Sequence, residues 1–208
     1  MKQAKKLILA SQSPRRSEIL IKAGYQFVSF PVYVSEIPNK NLSLDEQIID
    51  IARRKACSAA QIMRDKGLDL NHSIILSADT MVCFKSKALG KPENEKMAFE
   101  YLSLLSGNQH QVKTAIYLLD LCTNENSSHI ETTEVFFRKI SDQEIHDYIR
   151  TKEPLDKAGA YAIQGLAGKF VLKFSGDFNN VVGLPLQALE NLFRLKQWDF
   201  LKTPPQQT

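Results

Sequence analysis

Three segments of the 208-residue chain combine residue types that do chemistry. In Ile74-Ile75-Leu76-Ser77-Ala78-Asp79-Thr80-Met81-Val82 an acid stands alone among apolar residues. A carboxylate there is costly unless it is paired or holds a cation. Asp79 therefore reads as an Mg²⁺ ligand facing phosphate oxygens, as a general base toward water, or as a turn cap beside Thr80. The second segment is Ser11-Gln12-Ser13-Pro14-Arg15-Arg16, placed between a strand and a helix. Two hydroxyls and two guanidiniums at a helix N-terminus suit a phosphate or polyphosphate. The competing reading is a plain helix start with both arginines solvated. GxxxxGK[ST] is absent, so this is no Walker loop. The third segment runs from Glu153 to Gly165, where Glu, Asp and Lys lead into small residues and then Gln164. Small residues let a ligand approach backbone, and a Gln amide donates and accepts together, as a base edge requires. An ordinary turn and strand is the alternative there.

The elements that would position these groups follow from pattern. Lys5 to Ala10 reads as a buried strand, and Ser13 as the N-cap of a helix with Pro14 at its first position. That helix runs over Ser17 to Ala23 and stops at Gly24. Tyr25 to Val34 is β-rich, with Pro31 demoting its middle. Ser43-Leu44-Asp45-Glu46 is a capping box opening a helix to about Lys66, with Ile48, Ala52, Ala59 and Ile62 as its stripe and Lys55 beside it. Ser73 to Leu76 and Met81 to Phe84 read as strands, and Lys85-Ser86-Lys87 turns the chain back. Pro92 to Leu105 reads as a helix stopped by Ser106-Gly107. Gln111 to Leu121 and Ile130 to Lys139 form a hairpin around Thr123 to Ser128. Ser141-Asp142-Gln143-Glu144 opens a helix that ends before Pro154. Lys169 to Phe174 and Asn180 to Val182 read as strands, and Leu186 to about Trp198 as a last helix. A mixed α/β fold results, with residues 1–200 as one domain and 201–208 as a disordered tail.

Composition narrows the class. Hydrophobic residues make up 43% and charged ones 24%, which excludes a disordered chain. The formal net charge of +4 is too small to argue for nucleic acid. No apolar run reaches the roughly 18 residues a membrane span needs, and the N-terminal apolar stretch is too short for a secretory signal. A cytoplasmic location is expected, and no membrane partner. Cys57, Cys83 and Cys122 have no metal-type spacing and read as reduced, buried thiols. His110 and His129 read as structural.

In order along the chain, these segments resemble the Maf family of nucleoside triphosphate pyrophosphatases. The resemblance is carried by Leu9 to Arg16, Ala78-Asp79-Thr80, Gly90-Lys91-Pro92, Ser106-Gly107, then His110, Val112 and Thr114, Glu153 to Gly165, and Val181 to Leu186. It covers roughly residues 7 to 190. It implies hydrolysis of a nucleoside triphosphate to monophosphate and pyrophosphate, assisted by a divalent metal, Mg²⁺ or Mn²⁺. It also implies a two-lobed α/β fold with a cleft around a long mixed sheet, often dimeric, so a homodimer is expected. The family's catalytic aspartate falls on Asp79 and its specificity positions on Arg15, Thr80 and Gln164. Functional positions also match Glu36, Lys55, Lys91, Asp156 and Lys157. Tyr161-Ala162-Ile163-Gln164-Gly165 is similar to the branch acting on dTTP and UTP; the Ser-Glu pair of the 7-methyl-GTP branch is not seen. Ser77 and Ala162 stand where Gly is commoner, Ser35-Glu36 where an acidic pair is usual, and Phe178 where Tyr is usual.

The resemblance implies in-line attack of water on the α-phosphorus. Asp79 orients or deprotonates the water, and Ser11, Ser13, Arg15, Arg16 and Lys91 hold the phosphates. Glu36 and Asp156 join Asp79 as metal ligands or pair with the lysines. Gln164 meets the O4 and N3–H edge of uracil or thymine. Two rivals remain: a nucleotide-binding regulator of cell division or shape without needed turnover, and an RNA-binding module.

Overall fold

The computed structural model describes residues 4–203. β1 (Lys6–Leu9), β2 (Phe27–Ser29), β3 (Ser73–Phe84), β4 (Lys87–Leu89), β5 (Gln109–Asp120), β6 (Asn126–Phe137) and β7 (Val171–Ser175) form one mixed sheet. Its order is β2-β1-β3-β5-β6-β7, with β4 paired to β3. β1 runs parallel to both β2 and β3, whereas β3–β4 and β6–β7 are antiparallel. A strand with parallel partners on both sides is covered on both faces, so Leu7, Ile8 and Leu9 are all buried without alternation. Among the described residues the sheet is accompanied by the α-helices α1 (Pro14–Lys22), α2 (Leu44–Asp65), α3 (Glu95–Leu105), α4 (Asp142–Arg150), α5 (Phe178–Val182) and α6 (Leu186–Leu195).

The chain divides into two compact units. The first holds residues up to Asp79, Ala115–Ile130 and those from Gly183 on; the second holds Thr80–Thr114 and Glu131–Val182. Neither is one continuous stretch, because β3, β5 and β6 each contribute to both. In the first unit Leu20 of α1, Ile48 and Ala52 of α2, and Ile74 and Leu76 of β3 are all buried. The second has its own core, in which Val82, Leu102, Phe137, Tyr148 and Phe170 are buried.

Both capping boxes form. Ser43 and Ser141 accept from the backbone of Glu46 and Glu144, whose carboxylates accept from the cap N–H groups in return. Several expectations are corrected. The two strands about Asp79 are one twelve-residue strand, so the acid lies within β3 and not at a strand end. The helix expected from Pro92 starts at Glu95, because the Asn94 side chain accepts from Met97 N–H at 2.9 Å. Tyr25 to Val34 keeps only three strand residues. Ile62 is exposed, and Met63 completes the buried stripe of α2.

Asn180–Val182 is helical, not a strand. The Asp177 carboxylate accepts from Asn179 N–H at 2.7 Å, a local turn that overrides β propensity. Cys57 and Cys122 are exposed, so only Cys83 is a buried thiol. The expected tail starts too early: Gln26 N–H donates to the Leu201 carbonyl and Thr203 N–H to that of Gly24, at 3.0 and 2.7 Å. Residues 204–208 lie outside the described residues. Among the described residues no helix is long and apolar enough to cross a membrane.

Candidate active site

Parallel pairing brings the first two signals together. Leu9 is in register with Leu76, and Ala10 N–H donates to the Leu76 carbonyl at 2.8 Å. Continuing that register sets Ala10 opposite Ser77 and Ser11 opposite Ala78, so the Ser-Pro-Arg-Arg turn lies next to the strand bearing Asp79. Ser13 occupies the N-cap position of α1, but its hydroxyl accepts none of the helix N–H groups. Its own N–H donates to Ser11 Oγ at 3.2 Å. The helix terminus thus keeps its partial positive charge uncapped by that side chain.

The two arginines differ. Arg15 is half-buried, whereas Arg16 is buried, donating through Nε to the Gly183 carbonyl at 2.7 Å and through Nη1 to Ser11 Oγ at 3.2 Å. Burial pulls the Arg16 pKa below its ordinary value. The charges of Asp79 and Glu36 pull it back up, and Arg15 lowers it again. A guanidinium keeps its charge in proteins, so Arg16 is a fixed cation bonded to the Ser11 hydroxyl and the Gly183 carbonyl.

Asp79 is half-buried and accepts at Oδ1 from Lys55 Nζ at 2.7 Å. The same ammonium pairs with Glu36 Oε1 at 2.7 Å. Lys55 sits on the buried face of α2, not beside it, and its stem is covered by core while its head meets both acids. Glu36 arrives on the irregular segment between β2 and α2. Two carboxylates converging on one cation are hard oxygen donors of the kind Mg²⁺ takes together with phosphate. Asp156 belongs to the second unit and pairs with Lys157. Among the described residues no three His, Cys, Asp or Glu side chains gather as a metal site.

The second unit holds the other expected residues. Gly159 N–H donates to the Gly90 carbonyl at 3.0 Å, setting exposed Lys91 beside the Asp156-Lys157 segment. Gly159 has φ +65°, and a Cβ there would lie 2.8 Å from Val82 Cγ1, so only Gly fits. Thr80 Oγ1 is 3.0 Å from Thr114 Oγ1, and Thr114 donates to the Asn180 carbonyl at 2.9 Å. Gln164 is exposed on a turn held by Glu153, whose Oε1 accepts from Tyr148 Oη at 3.0 Å and Oε2 from Leu166 N–H at 3.2 Å.

Residues 6–195 match the family described as Maf-like protein. The chain belongs to the Maf family. It is 51% identical over 186 residues to a Bdellovibrio bacteriovorus protein named dTTP/UTP pyrophosphatase, covering 89% of this chain and 96% of that one. Proteins of the same name from Caldicellulosiruptor bescii and Colwellia psychrerythraea are 39% and 43% identical. These matches cover 95% and 91% of this chain, and 98% and 87% of the relatives. Among solved structures, the Staphylococcus aureus Ham1 protein aligns with a TM-score of 0.49 at 13% identity, over 92% of this chain and all of that one.

At the positions where this Maf chain departs from the usual residue, the structure accommodates the change. Ser77 donates its hydroxyl to the Ala52 carbonyl at 2.7 Å, tying β3 to α2. Phe178 packs against Phe174, ring centroids 5.6 Å apart. Sequence reasoning passed over Asp50 and Arg54 of α2, buried Asn180, and the Gly183 carbonyl that receives Arg16. The one legible signal among them is the four-residue spacing of Asp50 and Arg54.

Proposed function

We propose that this chain hydrolyses nucleoside triphosphates, dTTP and UTP foremost, to the monophosphate and pyrophosphate. The observation that carries the reading is the convergence of Asp79 and Glu36 on Lys55, with buried Arg16 beside them. Phosphoryl transfer demands mainly positioning and charge stabilisation, and this set supplies both. Asp79 orients the attacking water and takes its proton. Lys55 fixes the Asp79 carboxylate. Arg15, Arg16 and the amides opening α1, with Ser11 and Ser13, hold the phosphate oxygens and neutralise charge on departing pyrophosphate. Glu36 and Asp79 would hold a divalent cation, Mg²⁺ or Mn²⁺, which when bound supplies charge neutralisation on the phosphates.

The pyrimidine preference rests on Gln164 and on the relatives' name. A Gln amide satisfies the O4 and N3–H edge of uracil or thymine, and a site built on such bonds rejects the wrong base by ~10⁴-fold or more. A cytoplasmic location belongs to this reading, supported by three free cysteines.

The test is pyrophosphate release from UTP, dTTP, CTP, ATP and GTP with Mg²⁺ or Mn²⁺, on wild type and Asp79→Asn. Wild type should act on UTP and dTTP, and the variant should fold, bind nucleotide and fail to turn over. Full activity in Asp79→Asn removes that residue from the mechanism, and equal rates on purines defeat the base reading.

A further inference from the structure

The segment carrying Glu36 has no regular structure of its own, yet its carboxylate is aimed at Lys55. What holds it is Arg54, the residue before Lys55 on α2. Nη1 of Arg54 donates to the Ser35 carbonyl and Nη2 to the Ile37 carbonyl at 3.1 Å, so one guanidinium grips the backbone on both sides of Glu36. The guanidinium is itself aimed by Asp50, one turn earlier, whose Oδ2 accepts from Nε at 2.9 Å. Three acceptors around one planar fork fix its orientation, which a lysine could not reproduce.

We propose that Arg54 is a positioning residue for the reaction: it clamps the 35–37 backbone so that Glu36 reaches Lys55, and through it Asp79. The inference rests on the hydrolytic reading above, because only there does Glu36 have chemical work. The clamp and the chemistry share one helix. Consecutive residues Arg54 and Lys55 serve the backbone and the side chain of the same short segment. Asp50 is also bonded by Arg53 Nη2 at 2.6 Å, so the aiming carboxylate is neutralised from two sides.

The experiment compares wild type, Arg54→Met, Arg54→Lys, Glu36→Gln and the Arg54→Met/Glu36→Gln double variant. Arg54→Met keeps an apolar stem and should fold with wild-type circular dichroism. Misplacing a group near the reacting centre can cost up to about 10²-fold, so we expect kcat to fall roughly 10- to 100-fold, with KM changed less. Arg54→Lys should not restore it. In the Glu36→Gln background, Arg54→Met should cost no more than about a further twofold, because the group it positions is gone. Backbone NMR order parameters at Glu36 and Ile37 should fall in Arg54→Met, because the guanidinium that holds their flanking carbonyls is gone. Unchanged order parameters overturn the clamp. An equal loss of kcat in both backgrounds overturns the route through Glu36, as does wild-type kcat in Arg54→Met. Failure of the hydrolytic reading is recognised separately, as absence of pyrophosphate release by the wild type.

Discussion

His110 sets a pH limit on stability. It is 2% exposed, its Nε2 lies 2.8 Å from Tyr161 Oη, and the edges and faces of Phe137 and Tyr161 enclose the ring. Its Nδ1 has no hydrogen-bond partner among the described residues. A second N–H there would be buried without an acceptor, and burial pushes the pKa down to about 4 from the usual 6.5. The unfolded chain therefore binds a proton that the folded chain refuses between those two values. Stability from this group is complete above pH 6.5 and is lost as pH falls toward 4. At about 1.4 kcal/mol per pH unit the full loss is roughly 3 kcal/mol, and roughly 2 kcal/mol of it falls between pH 7.5 and 5, above the range where most carboxylates titrate. The assay is urea unfolding at several pH values on wild type and His110→Phe. The variant leaves the Tyr161 hydroxyl unpaired, which shifts its stability by a constant. Its loss between pH 7.5 and 5 should be smaller than wild type's by roughly 2 kcal/mol. Parallel pH profiles, or an NMR titration of His110 with a midpoint near 6.5, would refute the reasoning.

Gly165→Ala should disturb the turn that presents Gln164, because a Cβ there would lie 2.0 Å from Glu153 Oε1, itself held by Tyr148. The preference for UTP over CTP should drop, as read from the ratio of kcat/KM values, and an unchanged ratio would separate this turn from base choice. Thr114→Val should cost roughly 1–3 kcal/mol in urea unfolding, since it strips a donor from the Asn180 carbonyl and a partner from Thr80 in a buried network. Thr114→Ser should recover most of that, and equal losses in the two variants would place the effect in packing.

Much of the fold was legible because local rules and tertiary structure agreed. Ser43 and Ser141 each stood three residues before a Glu, and both boxes closed as that spacing demands. The expectation failed at Asn180–Val182, where β-branched residues suggested a strand. Buried bonds of the Asn180 side chain to the Val112 carbonyl and Thr133 Oγ1, at 2.9 and 3.0 Å, hold a helical turn there. Nothing in sequence spacing announces partners 68 and 47 residues away. The candidate site divides along the same line. Asp79 and the Ser-Pro-Arg-Arg turn are visible as residues needing an explanation, but no local signal tells that Arg54 reaches the Ser35 and Ile37 carbonyls.

The sequence by itself determined which side chains are chemically expensive: an acid in an apolar strand, a cation next to an apolar helix stripe, a hydroxyl and arginine cluster before a helix. Their cost follows from residue type and local period alone. Only the tertiary structure decided that these expenses settle one another, because parallel pairing of β1 with β3 and packing of α2 bring Arg16, Lys55, Glu36 and Asp79 together from four separate stretches of chain.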